Sequence, residues 1–155
     1  MAGFDLHPPL LGAHGLPVAL TDLIDRAARE AGLETDVVVE VGRYHFVVED
    51  LAYRIVREAI AGARGHEGTS RLEVDIREHR GAVHGRVWDN GDSQAARRRD
   101  DRPRVVLHLS LERLAERVRL ADGDVHVRSV PGRGTLVAFR LPLAPGGAVA
   151  LAAAR

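Results

Sequence analysis

LAYRIVREAIAGARGH, residues 51–66, decides how the rest of the chain is read. Leu51, Ile55, Glu58 and Gly62 recur at i, i+4, i+7 and i+11, so on a 3.6-residue helix they form one stripe. The spacing predicts that Glu58 faces the core. A carboxylate buried alone is costly and either neutralises or acquires a partner. The residues leave two readings open: a salt bridge or helix-edge placement, or a polar pocket beneath the helix.

Working outward, the chain is long enough, at 155 residues, for one domain with its own core. Its 22 basic and 22 acidic residues cancel, so no global field recruits nucleic acid or an anionic membrane. The absence of cysteine removes disulfides, thiolate nucleophiles and Cys-based zinc sites, and fits a cytoplasmic setting. No signal-peptide pattern is visible at the N-terminus, and the longest apolar run, 148–154, is too short to span a bilayer.

Residues 1–15 hold Pro8-Pro9 and three glycines and read as an irregular lead-in. Pro17 opens a helix whose apolar residues recur up to Gly32, a suitable terminator. A Val-rich strand is expected over 35–41 and a helix over 48–64. Leu72, Val74 and Ile76 alternate, Arg80-Gly81 makes a turn, and Val83, Val87 and Asp89 share one parity on the returning strand. If Val87 points inward, Asp89 does too. From Gly91 to Arg104 the apolar pattern gives way to a long loop containing Arg97, Arg98 and Arg99. Ser110 is the expected cap of a third helix ended by Gly123, with Glu112 favourably near its start. Val125 and Val127, the turn Pro131-Gly132-Arg133-Gly134, and Val137, Phe139 and Leu141 form a second hairpin. The tail 144–155 is expected to be flexible. The order implies an α+β fold: a two-layer α/β sandwich with three helices on one face of a mixed, mostly antiparallel sheet.

The stretch at 51–66, VWDNGDS at 87–93 and LERLAERVRLADGDVHVRSVPGRGTLVAFRLPL at 111–143 resemble, in order, the N box, the G1 box and the closing helix and hairpin of the histidine-kinase-like (GHKL, Bergerat-fold) ATPase domain. That family includes two-component sensor kinases, DNA gyrase, Hsp90 and MutL. The phrases are most similar to sensor kinases that pair with NarL-type response regulators. LHPPLLGAHGLPVAL at 6–20 looks like the end of a dimerisation segment. The resemblance implies a domain over 16–143 that binds ATP with Mg²⁺ in bacterial signal transduction. Its partners would be ATP or ADP and a phosphoacceptor or response regulator on another chain. In such domains the position of Glu58 assists chemistry at the γ-phosphate, and that of Asp89 accepts a hydrogen bond from the adenine amino group. Gly91 lets backbone approach the base. His66, Arg98, Arg99, His108, Ser110 and Thr135 complete the implied nucleotide contacts.

The chain departs from the pattern at chosen positions. Gly62 replaces the Asn that holds Mg²⁺, which leaves no side-chain oxygen there and no metal ligand to assign. Gly65 replaces a basic residue, Ser93 the second G1 glycine, and His108 and Ser110 the paired G2 glycines whose N–H groups cradle phosphate. The phosphoacceptor His of a sensor kinase would lie upstream of Met1; His7 and His14 are misplaced for it. A second reading follows, a degenerate ATPase-fold domain serving as an inactive protein-interaction or regulatory module. A third, the anti-sigma-factor serine-kinase branch, fits the NarL-like phrases less well. No His-x-x-x-His pair with a nearby acid suggests a metal site, and Arg97-Arg98-Arg99 runs into Asp100-Asp101 without flanking aromatics, unlike a nucleic-acid surface.

Overall fold

In the computed structural model, residues 8–92 and 104–143 are described, with side chains omitted for 104–110. Four helices and five strands follow in the order α1 (Pro9–His14), α2 (Leu16–Ala31), β1 (Glu34–Glu40), α3 (Phe46–Gly65), β2 (Arg71–His79), β3 (Ala82–Asp89), α4 (Arg104–Leu120), β4 (Asp124–Val130) and β5 (Gly134–Pro142). The strands form one sheet in the order β1-β2-β3-β5-β4, parallel between β1 and β2 and antiparallel elsewhere. This is the mixed, mostly antiparallel sheet expected from the sequence, and the fold is α+β.

The lead-in differs from expectation. Residues 9–14 are helical because Pro9 fixes φ in the first turn and the Pro8 carbonyl accepts from the N–H groups of Leu11 (3.0 Å) and Gly12 (3.1 Å). Leu11 is fully buried and anchors the turn. Gly15, at φ 85°, then redirects the chain into α2.

Strand parity works as expected. Leu72, Val74 and Ile76 of β2, Val83 and Val87 of β3, and Val137, Phe139 and Leu141 of β5 share the face covered by the helices, and all are buried. Fully burying such a side chain contributes about 1.5–3 kcal/mol, so this layer is the main stabilising surface. The opposite face is mostly polar. It carries Glu73, Asp75, Arg86 and Trp88 and a groove of about 180 Å³.

Helix α3 lies at the centre of the helical layer, packed against α2, α4, β3 and β5. Every residue from Val48 to Val56 is therefore buried, including Glu49, Asp50 and Arg54. These charges are paired. Arg43 Nε donates to Glu49 (3.1 Å), Tyr44 N–H to the same oxygen (3.2 Å), and Arg54 Nε to Asp50 (2.8 Å). Arg43 also reaches the carbonyls of Gly12 (3.0 Å) and Ala13 (3.5 Å), which ties α1 to the start of α3. Arg117 of α4 approaches Asp50 at 3.5 Å, joining the two helices through a shared carboxylate.

Helix α4 starts well before the expected cap. The chain is already helical at Arg104, so Ser110 and Glu112 lie inside the helix and not at its N-terminus. The C-terminal stop also differs in detail. Asp122 takes the left-handed conformation (φ 60°), while the N–H groups of Asp122 and Gly123 bond the carbonyls of Arg119 (2.9 Å) and Val118 (2.9 Å). Gly123 is needed for a different reason: a Cβ there would run into the Arg140 carbonyl. Of the expected loop from Gly91 to Arg104, residues 93–103, with Ser93, Arg97, Arg98 and Arg99, lie outside the described residues, as do the tail 144–155 and His7.

Candidate functional site

The expected inward parity of Asp89 holds. It ends β3, pairs with Leu72 on one side and Thr135 on the other, and is 4% exposed on the helix-facing side of the sheet. Its Oδ1 accepts from the Gly91 N–H (2.9 Å) and from His66 Nδ1 (3.0 Å), which lies 3.2 Å from Oδ2. Helix α3 ends at Gly65, and His66 turns out of it in an extended conformation, so its ring meets the strand end. Local helix termination thus brings two sequence-distant groups together.

The segment behind this pair is tied down from both sides. Thr69 Oγ1 lies 2.7 Å from the Ala63 carbonyl and 2.9 Å from that of His66, closing the chain after α3. The Asp92 N–H donates to the Glu67 carbonyl (2.8 Å). Asn90 Oδ1 accepts from Ser70 and Arg71 N–H groups (2.9 and 3.0 Å), and its amide nitrogen donates to Ser70 Oγ (2.9 Å). Gly91 admits no side chain: a Cβ would collide with Thr69 Oγ1 and sit 2.6 Å from His66 Cβ. Gly134, at φ 129°, lets β5 begin against the Asp89 carbonyl. Thr135, 5% exposed, lies 3.1 Å from Ser129 through the two hydroxyls.

The structure therefore brings Asp89, Gly91, His66 and Thr135 to one end of the sheet. Glu58 takes the helix-edge placement, one of the two readings its sequence left open, and not the core-facing position that its stripe predicts. It is half-buried rather than inside the core, because α3 turns its fully buried surface through Leu51, Ile55, Val56, Ala59 and Ala63 and leaves Glu58 on the margin. It lies on α3 about two turns before the helix ends at Gly65, at 3.6 residues per turn. Gly62, between them, is buried and supplies no donor atom. His108 and Ser110 lie within α4, where a continuous helix engages backbone N–H groups in its own ladder instead of presenting them to an anion. Among the described residues, no group of three or more His, Asp or Glu side chains is arranged to hold a metal. Also among them, no helix is long and apolar enough to cross a membrane.

Sequence reasoning missed Thr69, Asn90 and Gly134. Asn90 was visible inside Asp-Asn-Gly as a turn-forming residue. Thr69 carries no periodic signal, and Gly134 was read only as part of a turn, which it also is: Gly132 has φ 74° and the Arg133 N–H donates to Val130 (3.0 Å).

Helices on one face of a mixed sheet, with a buried aspartate at the end of the third strand beside the end of the central helix, make this a histidine-kinase-like ATPase fold. Solved structures that share it include the histidine kinase AdeS of Acinetobacter baumannii (TM-score 0.62, 9% identity, 87% of this chain and 73% of that one) and the histidine kinase domain of the blue-light activated kinase EL346 of Erythrobacter litoralis (0.63, 16%, 90% and 64%). In sequence, the chain is similar to the sensor histidine kinase LiaS of Bacillus subtilis (strain 168), 26% identical over 140 residues. It is also similar to the oxygen sensor histidine kinase NreB of Staphylococcus carnosus (strain TM300), 26% over 141, and to the histidine-protein kinase/phosphatase DegS of Brevibacillus brevis, 25% over 142. Each likeness covers 90% of this chain but only 38%, 40% and 36% of the relative, so the chain spans about two fifths of those proteins. The resemblance to NarL-type sensor kinases read from the sequence is borne out by these relatives. No family model matches the chain.

Proposed function

We propose that this chain is the ATP-binding catalytic domain of a sensor histidine kinase type, acting in two-component signal transduction, with a reduced Mg²⁺ and phosphate side. The observation that carries the proposal is Asp89. A carboxylate 4% exposed at a strand end, held by one backbone N–H and one imidazole, keeps acceptor capacity that suits the exocyclic amine of adenine. Thr135 and Gly91 line the same end of the sheet. Residues 16–143 form the nucleotide-binding unit, and the phosphoacceptor or response regulator is a separate chain.

The donor set does not fit a protein-held Mg²⁺. That ion keeps octahedral oxygen coordination through one or two protein ligands, water and phosphate, and Gly62 provides none at the expected position. Glu58, on the margin of α3, is the carboxylate available to act near a γ-phosphate. Arg98 and Arg99 would serve phosphate oxygens by charge-assisted hydrogen bonds.

Calorimetric titration with ADP and ATP, with and without Mg²⁺, tests the reading. The expected result is nucleotide binding that Mg²⁺ changes little and that Asp89→Asn weakens about tenfold, a change of ~1.4 kcal/mol. Absence of binding at about 1 mM nucleotide, which means a binding free energy weaker than about −4 kcal/mol, or unchanged binding in Asp89→Asn rejects it.

One observation favours a second reading, an inactive interaction or regulatory module: His108 and Ser110 sit in the body of α4, where the glycines of a phosphate cradle would be expected. In that case the chain binds a partner protein without nucleotide, and Gly62→Asn combined with His108→Gly and Ser110→Gly does not restore phosphoryl transfer. Turnover of ATP by the unmodified chain rules this reading out.

A further inference from the structure

We infer that His66 is the positioning residue that gives this site its selectivity for a 6-amino purine, acting through Asp89. The inference rests on the reading of Asp89 as the adenine acceptor. Asp89 Oδ1 already takes two donors, the Gly91 N–H at 2.9 Å and His66 Nδ1 at 3.0 Å, whereas among the described residues Oδ2 has only the 3.2 Å approach of the same imidazole nitrogen. Rotation of the carboxylate would break both bonds on Oδ1, so Oδ2 is the oxygen held ready for an exocyclic amine.

The imidazole is itself fixed. Its backbone N–H donates to the Ala63 carbonyl (3.1 Å), its carbonyl lies 2.9 Å from Thr69 Oγ1, and its Cβ faces Gly91 where no further carbon fits. The side chain is 17% exposed and that of Asp89 5%, so water competes weakly for the pair. Donation from Nδ1 to the carboxylate places a hydrogen on Nδ1. A base bearing a carbonyl in place of the 6-amino group would set oxygen against carboxylate oxygen. Discrimination therefore depends on keeping Oδ2 in place, and a site built around a hydrogen bond rejects the wrong partner strongly.

The test uses the full 155-residue chain and two probes, ADP and IDP, which differ in that amino group. His66→Leu removes the donor; His66→Asn replaces it with an amide nitrogen the same number of bonds from the backbone. The expected result is that His66→Leu weakens ADP binding about tenfold and IDP binding by less than about twofold, collapsing the ADP/IDP ratio, while His66→Asn restores most of it. An equal loss for both nucleotides, or an unchanged ratio, overturns the inference and leaves the Asp89 reading standing. Absence of ADP binding by the unmodified chain overturns both. If His66→Leu does not fold, as judged by circular dichroism, the comparison moves to His66→Asn against His66→Gln, whose amide sits one bond farther out. Equal ADP/IDP ratios in those two variants then overturn it.

Discussion

Gly85 shows what a single residue can conceal. It sits on the inner face of β3 opposite Phe139, and a Cβ built on it would enter the Phe139 ring. The aromatic side chain, 3% exposed, fills the space that a β3 side chain would occupy. Nothing in the alternation of β3 announces this, because a glycine in a strand leaves no periodic mark. Gly85→Val is expected to lower stability by about 1–3 kcal/mol through overpacking, read as a fall in the urea midpoint at constant slope. Adding Phe139→Leu should recover part of the loss, since the two sites share one volume. Asp89 is the opposite case. Its inward direction followed from parity with Val83 and Val87 before any tertiary contact was known. Glu58 did not follow its stripe, because a helix covered on both flanks buries more than one stripe and shifts which residue lies at the edge.

Among the elements, the β2–β3 hairpin was the most legible. Its turn residues Arg80 and Gly81 both take positive φ, 49° and 72°, the type I′ geometry that matches the twist of the strands. Gly81 adopts it freely, whereas a residue with a Cβ such as Arg80 is disfavoured there. Arg80→Asn is expected to stabilise the chain by about 0.5–1 kcal/mol, or raise the melting temperature by about 1–4 °C, measured by thermal denaturation. No change, or a loss, would mean that the arginine side chain contributes more than the turn costs. The start of α4 was less legible. A serine before an apolar run resembles a cap, yet the chain is already helical at Arg104, because local capping chemistry only nominates a start, while packing against α3 and β4 also bears on helix length. Similarly, the helical turn at Pro9–His14 depends on Leu11 finding a buried position, which its short sequence could not announce.

At the scale of the whole molecule, the α1–α3 junction collects groups from separate elements. Tyr44 lies there, accepting a hydrogen bond from the Gly42 N–H at 2.9 Å. Burial pushes its phenol above the usual 10.0; the Gly42 donor opposes this, and the charges of Glu78 and Glu49 add to the rise. Because the folded phenol ionises later than the unfolded one, Tyr44 supports the fold fully below the unfolded value and loses that support as pH rises through the folded one. Urea unfolding compared between about pH 9 and about pH 11 should show a steeper loss of stability in the wild type than in Tyr44→Phe. Equal slopes would mean that the phenol is no better protected from ionisation folded than unfolded.

The sequence by itself determined the order of the main elements, the mixed sheet, both hairpins and the inward face of Asp89. Each of these rests on a period of 2 or 3.6 residues or on a turn residue's own backbone preference, and such properties are local. Only the tertiary structure decided that His66 meets Asp89 across 23 positions of sequence, that Arg43 joins Glu49 to two carbonyls of α1, and that Glu58 lies at the margin of α3. Those outcomes depend on where a helix stops and what covers its flanks. Both are settled by the packing of distant segments, which no local pattern encodes.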